Sequence, residues 1–343
     1  MSNIVVLNSQ TMPYHMSSFS HLTSKGYDLF VVNKDKNTLS SYRPQSSDHI
    51  KILPRSEFNQ DSLYGLIDNL NPLLIACAGT LDKDYLSVLK KYRKNHNIPV
   101  IMFSDTQWRG GLQWLNVLTS KWRHKKWFSH VLVAGTWQYE YARRLGFRKN
   151  KILYPYLSAD DKLFKSIDIE EKKKQWPKKL LYCGRFAEVK GLDLLLHAWQ
   201  NIPDHKGWTL TLIGEGPIKI KSESNIEVVG YKTQVEILDY MNQAGAFVLP
   251  SRFEPWALVI HEAALAGLPI ICSDCIGAST AFCINKSNAF IFKTENASDL
   301  EKVLIKLINM NDSQLYEMAQ RSRNLGERIT SRDVADAIES VIY

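Results

Sequence analysis

Residues 180–200 read Leu180-Leu-Tyr-Cys-Gly-Arg-Phe-Ala-Glu-Val-Lys-Gly-Leu-Asp-Leu-Leu-Leu-His-Ala-Trp-Gln200. An uninterrupted apolar run is typical of a strand that is buried on both faces, and Gly184 allows a tight turn after it. The apolar residues that follow recur at helical spacing. The stretch therefore predicts one strand–loop–helix unit of a parallel sheet covered by helices.

The same alternation runs along most of the chain. In the first half, the predicted strands are Ile4–Leu7, Leu29–Val32, Leu73–Ala76, Val100–Phe103 and Val131–Val133, and the predicted helices lie near 60–69, 82–95, 112–125 and 136–145. In the second half, the strands are Leu180–Cys183, Leu210–Ile213, Ile226–Val228, Phe247–Leu249 and Pro269–Cys272, and the helices lie near 190–200, 232–243, 258–266 and 297–310. Two such arrays predict an α/β protein with two Rossmann-like, doubly wound domains facing each other across a cleft that holds the ligand.

The alternation also suggests domain boundaries. Residues 1–160 form the predicted first domain and residues 179–325 the second. Between them, residues 161–178 contain a run of lysines and a proline, which predicts a linker. The last segment, 326–343, has a helical pattern and is predicted to pack back towards the first domain.

The composition is that of a soluble globular protein, with 45% hydrophobic and 23% charged residues among 343. No apolar run approaches the roughly 20 residues that cross a bilayer, and the start lacks the basic region of a signal peptide. Five cysteines, an odd number, are typical of reduced thiols in the cytoplasm. Cys272-x-x-Cys275 lacks the second pair that completes a zinc site, so buried structural thiols are favoured and no metal site is predicted.

The net charge of +8 is unevenly distributed. Residues 1–165 carry 23 Lys and Arg against 12 Asp and Glu, whereas residues 166–343 carry 20 against 23. This asymmetry predicts an anionic surface or ligand for the first half.

One basic stretch of that half contains two indoles. It consists of Lys121, Trp122, Arg123, His124, Lys125, Lys126 and Trp127. Interfacial indoles and cations near anionic headgroups are how a peripheral protein rests on a membrane. A solvated helix face and nucleic-acid binding are the alternatives. We prefer the membrane, which predicts a cytoplasmic protein, peripheral on the inner face of the membrane, with no nucleic-acid partner.

A second informative stretch reads Pro250-Ser-Arg-Phe-Glu-Pro-Trp-Ala-Leu-Val-Ile-His-Glu-Ala-Ala-Leu-Ala-Gly-Leu-Pro269. A strand ends at its first residue, and a helix begins near Ala257 or Leu258. The free N–H groups and positive dipole of a helix N-terminus suit a diphosphate. Glu254 can accept hydrogen bonds from sugar hydroxyls and Glu262 from ribose hydroxyls. The alternative is an exposed amphipathic helix with two solvated glutamates.

The loop after the strand Leu180–Cys183 carries Arg185 and Lys190. Both cations flank one loop and can reach the same polyanion. The alternative is a pair of solvated surface cations, which is what most Arg and Lys side chains are.

Taken together, these segments resemble the retaining family-4 glycosyltransferases of the GT-B fold. The motifs occur in the family's order and at its spacing, and they are Gly184-Arg185 with Lys190-Gly191, Leu212-Ile-Gly-Glu-Gly-Pro217, Val228-Val-Gly-Tyr231, Glu254 with Glu262, and Ala266-Gly-Leu-Pro269. They extend over nearly all of residues 179–310. The resemblance implies that the first domain binds the acceptor and the second binds the nucleotide sugar.

The resemblance also implies a role for each matching position. Side chains of the Arg185 and Lys190 type bind the donor diphosphate and offset the charge of the leaving group, which is a metal's work in other transferases. The Glu254-type residue holds the donor sugar and the Glu262-type residue the ribose. Gly184 is a further implied donor-binding position. Gly230 and Tyr231 are implied to border the base, and the backbone N–H groups of Trp256, Ala257, Leu258 and Val259 to contact the diphosphate. The implied catalytic residues are Arg185, Lys190 and Glu254.

The chain departs from the family pattern in the helix-start loop and in the first domain. Ala257 replaces a frequent Gly, which leaves backbone contact open unless φ is positive there. The first loop, residues 8–14, lacks the family's Gly pair, and Ser104-Asp105 replaces the usual His. The acceptor-side candidates of the following loop are Asp105, Trp108 and Arg109. The alternative is a turn in which Asp105 or Thr106 caps the next helix.

The sequence thus predicts a metal-independent, retaining glycosyltransferase of the hexosyltransferase type that needs no cofactor. Its predicted substrates are a nucleotide sugar, with UDP preferred as the commonest donor class of the family, and a glycan or lipid-linked acceptor in surface polysaccharide, lipopolysaccharide or glycoconjugate synthesis. A nicotinamide-dependent dehydrogenase is disfavoured because no Gly-x-Gly-x-x-Gly follows the first strand. A non-catalytic GT-B-fold protein that binds a membrane or partner remains the alternative.

Overall fold

The computed structural model describes residues 2–35 and 42–343. The chain divides into two compact units. The first runs as far as Ser158 and includes Thr330–Tyr343, and the second is Ala159–Ile329. Each unit contains one parallel sheet, of seven and six strands respectively.

The first sheet has the strand order β3-β2-β1-β4-β5-β6-β7. Its strands are β1 (Ser2–Asn8), β2 (Tyr27–Asn33), β3 (Ile50–Pro54), β4 (Leu74–Cys77), β5 (Val100–Ser104), β6 (His130–Val133) and β7 (Ile152–Leu153). The helices of this unit are α1 (Pro13–Ser24), α2 (Gln60–Leu70), α3 (Lys83–Asn95), α4 (Gln113–Trp127), α5 (Thr136–Arg144) and, from the end of the chain, α14 (Ser331–Glu339). The order reverses between β1 and β4, where an open α/β sheet forms its ligand crevice.

Side chains of β1 alternate between two hydrophobic clusters. Val5 and Leu7 join one cluster, and Ile4 and Val6 join the other. Successive residues of a strand point to opposite faces, so a strand covered on both faces is apolar throughout. This explains the uninterrupted apolar run that predicts the strand.

The second sheet has the order β10-β9-β8-β11-β12-β13 and reverses between β8 and β11. Its strands are β8 (Lys179–Cys183), β9 (Thr209–Ile213), β10 (Ile226–Val229), β11 (Ala246–Leu249), β12 (Ile270–Ser273) and β13 (Ala289–Phe292). Its helices are α6 (Asp161–Phe164), α7 (Ile169–Lys173), α8 (Leu192–Gln200), α9 (Gln234–Gln243), α10 (Leu258–Leu265), α11 (Ser279–Phe282), α12 (Ala297–Ile308) and α13 (Asp312–Gly326).

Residues 161–178, predicted to be a linker, form part of the second unit instead. The indole of Trp176 is buried and donates a hydrogen bond to the carbonyl oxygen of Gly245 at 2.9 Å. The buried ammonium of Lys172 donates to the carbonyl oxygens of Met241 and Ala244 at the end of α9, at 2.7 and 3.0 Å. The run of lysines in this segment therefore belongs to a helix end and to the cap that Lys172 forms on α9. The run and the proline do not mark a flexible linker.

The final helix belongs to the first unit. Its N-terminus is closed by a capping box in which Thr330 and Asp333 exchange side-chain-to-backbone hydrogen bonds. Val334, Ala335 and Ile338 enter the same cluster as Ile4 and Val6. The last turns of the chain therefore complete the core formed by its first strand.

Candidate active site

The loop after β8 is fixed by the loop after β9. The N–H of Gly184 donates to the carbonyl oxygen of Ile213 at 3.0 Å, and the N–H of Phe186 donates to that of Glu215 at 2.9 Å. Gly214 has φ +139°, and a Cβ there would overlap the carbonyl oxygen of Gly184. This loop therefore presents Arg185 and Lys190 from a defined backbone.

The two predicted cations differ in their surroundings. Arg185 is exposed, and its guanidinium has no hydrogen-bond or ion-pair partner within residues 2–35 and 42–343. The ammonium of Lys190 forms an ion pair with the carboxylate of Glu254, and these side chains are 21% and 14% exposed. The structure thus brings two of the predicted catalytic residues into direct contact.

Arg252, which the sequence motifs do not identify, ties the Glu254 loop to the Lys190 loop. Its guanidinium donates to the carbonyl oxygen of Glu188 at 2.6 Å and to both carboxylate oxygens of Asp193 at 2.7 and 2.6 Å. Its N–H donates to the carbonyl oxygen of Val189 at 2.8 Å. Arg252 belongs to no recognisable sequence motif, so the sequence does not predict that it links these two loops.

The thiols predicted to be structural lie behind the same loop. The thiol of Cys275 donates to the carbonyl oxygen of Ser251 at 3.0 Å, and the Sγ atoms of Cys272 and Cys283 lie 3.9 Å apart. All three are free thiols. Among these three thiols, that of Cys275 contacts the start of the Glu254 loop, through its hydrogen bond to Ser251.

Helix α10 begins without a side-chain cap. Its N-cap residue is Ala257, which makes no side-chain capping hydrogen bond and has φ +77° and ψ 82°. This positive φ is the condition under which the Ala257 methyl group is expected to hinder backbone contact with a phosphate at that position. The N–H groups of Leu258 and Val259 open the helix, where an α-helix has no internal acceptors. The Trp256 indole is buried against Phe282, so only the backbone of Trp256 is a candidate for ligand contact.

Glu262 lies on α10 and is buried. Its Oε1 accepts a hydrogen bond from the Gln234 amide at 3.3 Å. Burial raises the pKa of Glu262 to about 7, with the Asp160 carboxylate adding to this rise and Gln234 opposing it. Near neutral pH this carboxyl group can therefore both accept and donate hydrogen bonds. Gln234 is a second residue that sequence motifs did not mark.

The charges of all four predicted polar residues act on the end of β8. Burial raises the pKa of the Tyr182 hydroxyl, the Glu254 carboxylate adds to this rise and the Arg185 guanidinium opposes it. Burial raises the pKa of Cys183 to about 12, where Glu262 adds and Lys190 opposes. These four side chains thus lie near the carboxyl end of β8. Gly230 and Tyr231 follow β10 at the sheet edge, and both are exposed.

The first unit contains a cavity of about 540 Å³ at the carboxyl ends of β1, β4 and β5. Asp105 lines it, whereas Trp108 and Arg109 are not among its lining residues. The Trp108 ring packs edge-on against Trp114 and beneath the guanidinium of Arg144, 4.5 Å from the ring centre. Helix α4 starts only at Gln113 with Leu112 as N-cap, so neither Asp105 nor Thr106 caps it.

Aromatic side chains that the sequence did not mark also line this cavity. The N–H of Met12 donates to Nδ1 of His15 at 3.1 Å, and burial lowers the pKa of His15 to about 3. The neutral ring therefore carries its proton on Nε2, which lies 3.2 Å from the Tyr156 hydroxyl. Nε2 of Gln10 is buried without a hydrogen-bond partner in the described residues. This buried N–H group can therefore still donate a hydrogen bond to a polar ligand.

Helix α4 exposes both apolar and basic side chains. Leu115, Leu118 and Trp122 are 63%, 65% and 71% exposed, and their spacing puts them on one helix face. Arg123, Lys125 and Lys126 are also exposed, Trp127 is half-buried, and the Lys121 side chain lies outside what the structure describes. We call Leu115, Leu118, Trp122, Arg123, Lys125 and Lys126 the α4 surface. In the described part of the chain, no helix is long and apolar enough to span a bilayer.

Two Rossmann-like units of this kind define the GT-B fold, and a solved structure of that fold is similar to nearly the whole chain. HepE of Anabaena, solved in complex with UDP and glucose, has a TM-score of 0.69 and 13% identity, with 99% of each chain covered. The predicted fold class is therefore confirmed.

Residues 164–327 match the family described as "Glycosyl transferases group 1". The match covers most of the second unit, and it confirms the predicted resemblance there. An uncharacterized glycosyltransferase of Haemophilus influenzae is 28% identical over 162 residues, which are 44% of either chain. The amylovoran biosynthesis glycosyltransferase AmsD of Erwinia amylovora is 30% identical over 28% of this chain and 29% of its own. The matches thus span less than half of either relative.

Replacing Ala257 with Gly is expected to raise the free energy of unfolding by about 0.5–1 kcal/mol, because Gly adopts positive φ without a steric cost. Urea unfolding measures the change. The matched control, Ala263→Gly inside α10, is expected to lower stability by about 1 kcal/mol or more. Destabilisation by both substitutions would show that Ala257 is not strained.

Proposed function

We propose that this chain is a glycosyltransferase that moves a sugar from a nucleotide sugar to a glycan or lipid-linked acceptor in surface polysaccharide, lipopolysaccharide or glycoconjugate synthesis. The convergence of Arg185, Lys190, Glu254 and Glu262 at the end of β8 carries the proposal. Cations and the open N-terminus of α10 suit a diphosphate, and the carboxyl groups suit sugar and ribose hydroxyls. One site thus offers partners for the diphosphate, the sugar and the ribose of a nucleotide sugar.

The proposed transfer retains the anomeric configuration. The bond between the sugar and the diphosphate breaks, the acceptor oxygen bonds to the same face of the sugar, and the leaving phosphate takes the acceptor's proton. Arg185, Lys190 and the first N–H groups of α10 would offset the charge that builds on the leaving group. The proposal assigns no protein nucleophile, metal or cofactor to this step.

We propose a UDP-sugar of the hexose type as donor. The complex of HepE with UDP and glucose supports this choice, because the two chains share a fold. Tyr231 and Gly230 are exposed beyond β10, where an aromatic ring can stack on a base. Glu262, whose pKa is close to 7, would hold the ribose hydroxyls.

The cavity of the first unit is the proposed acceptor site. The Asp105 carboxylate, the Tyr156 hydroxyl and the unpaired amide of Gln10 are groups that bind sugar hydroxyls. The name of AmsD, an amylovoran biosynthesis glycosyltransferase, supports a polysaccharide acceptor.

We further propose that the α4 surface rests on an anionic membrane. Leu115, Leu118 and Trp122 would enter the headgroup region, while the cations of the same helix would bind anionic lipids. Asn116, Arg123 and His124 of α4 line the acceptor cavity. One helix would therefore bring the cavity to the bilayer, which supports a lipid-linked acceptor.

A non-catalytic GT-B-fold protein that binds a membrane or partner is the alternative function. It shares the fold and the α4 surface, but it has no need for Arg185, Lys190, Glu254 and Glu262 near the end of β8. Incubation of the protein with a panel of nucleotide sugars separates the two functions. Donor hydrolysis or transfer supports the enzyme, and binding without either reaction supports the alternative.

Arg185→Ala is expected to lower the transfer rate about 10²–10³-fold, because one charge-stabilising donor is lost from the leaving group. Release of nucleoside diphosphate measures the rate. Lys302→Ala removes an exposed cation from α12 of the same unit and serves as the matched control. If the folded Arg185→Ala protein has the same transfer rate as the control, Arg185 is not part of the active site.

A metal chelator is expected to leave the transfer rate unchanged, because Arg185, Lys190 and the α10 N-terminus supply the positive charge. Assays with and without EDTA, followed by addition of Mg²⁺ or Mn²⁺, measure the dependence. Loss of activity in EDTA that either ion restores would overturn metal-independent transfer.

Replacing Arg123, Lys125 and Lys126 with Gln is expected to weaken binding to anionic vesicles on the order of a hundredfold, at about 1 kcal/mol for each cation. Co-sedimentation at low and high salt measures binding, and salt should weaken only the electrostatic part. The matched control replaces Lys90, Lys91 and Lys94, three exposed cations of α3. Equal loss in both variants would mean that the α4 surface is not the docking site.

A further inference from the structure

The ion pair of Lys190 and Glu254 joins two side chains that the proposed function gives to different parts of the donor. Lys190 would hold the diphosphate, and Glu254 would hold sugar hydroxyls. In the structure, each instead neutralises the other. A ligand that needs the Lys190 ammonium must therefore compete with the Glu254 carboxylate.

The surrounding backbone makes this pair a fixed feature of the site. Gly191 has φ +66° and lies so close to the carbonyl oxygen of Pro250 that a Cβ would overlap it. Arg252 ties the same two loops on the other side, through the carbonyl oxygen of Glu188. The Glu254 carbonyl oxygen accepts a hydrogen bond from the N–H of Gly277 at 3.1 Å, which anchors the loop to a third segment. Both side chains thus start from backbones that hold them within reach of each other.

A nucleotide sugar and a bare nucleoside diphosphate affect the pair differently. The sugar brings hydroxyl groups that can donate to the Glu254 carboxylate and replace its bond to Lys190, leaving the ammonium for the diphosphate. A nucleoside diphosphate lacks the hydroxyl groups of the donor sugar, so it brings only negative charge to the Lys190–Glu254 pair. It must take Lys190 from Glu254 and leave that carboxylate without a partner, beside the phosphates.

We propose that the Lys190–Glu254 ion pair weakens binding of the nucleoside diphosphate product and so favours its release after the sugar has left. The inference rests on the proposed function, because it assumes that this site binds a nucleotide sugar. Ion pairs that are partly open to solvent change equilibria by up to about fivefold, and more where both groups are shielded. Removing the competing carboxylate should therefore tighten product binding about fivefold.

The experiment titrates UDP and, in parallel, GDP into the full chain by calorimetry. The proteins are the wild type, Glu254→Gln, Lys190→Met and the double variant. Glu254→Gln is expected to bind the diphosphate about fivefold more tightly than the wild type, although it should transfer sugar more slowly. The gain is expected to vanish in the Lys190→Met background, because the carboxylate acts through Lys190. Glu317→Gln, which breaks an exposed ion pair with Arg321 on α13, is the matched control.

Each outcome decides a different point. Unchanged or weaker binding by folded Glu254→Gln overturns the inference and leaves the proposed function standing, since the wild type still binds. An equal gain with and without Lys190 also overturns it, because simple repulsion by Glu254 would then explain the effect. Binding of neither diphosphate to any of these proteins would overturn the proposed function itself. Thermal unfolding of each variant confirms that the compared proteins are folded.

Discussion

The contact between Gly191 and the carbonyl oxygen of Pro250 is the constraint on which the donor site depends. It brings the loop after β8 against the loop after β11, at the point where the order of the second sheet reverses. A side chain at position 191 would force the loops apart. Since they touch, Lys190 and Glu254 meet although 64 residues separate them. Glu254 is followed by the N-terminus of α10. The loop enters that helix through Ala257, whose backbone is strained.

The sequence predicts the fold well where burial is complete. The central residues of β1 (Ile4–Leu7) and of β8 (Leu180–Cys183) are apolar because both faces of these strands are covered, so the pattern needs no knowledge of neighbouring elements. Helix α1 gives a weaker signal, since four of its twelve residues are serines, which compete for backbone hydrogen bonds. It is stabilised by burial of Phe19 and Leu22, which composition does not reveal. The segment 161–178 looks like a linker because the sequence does not distinguish a buried lysine from a solvated one.

Some residues of the candidate site can be predicted from local sequence, and others cannot. Local motifs predict Arg185, Lys190, Glu254 and Glu262, because each follows a strand or opens a helix at a recognisable spacing. They do not predict partners that are distant in sequence, such as His15 and Tyr156, which are 141 residues apart. They also do not predict orientation. The Trp108 indole has the right chemistry for sugar stacking, yet it packs between Trp114 and Arg144 and away from the cavity.

The position of α14 has a consequence for synthesis of the chain on the ribosome. Val334, Ala335 and Ile338 complete a hydrophobic cluster whose other buried residues lie in the first half of the sequence. The whole second unit, Ala159–Ile329, is translated before them. During translation the second unit can thus reach its full set of contacts first. One apolar face of the first unit stays uncovered until α14 has been translated.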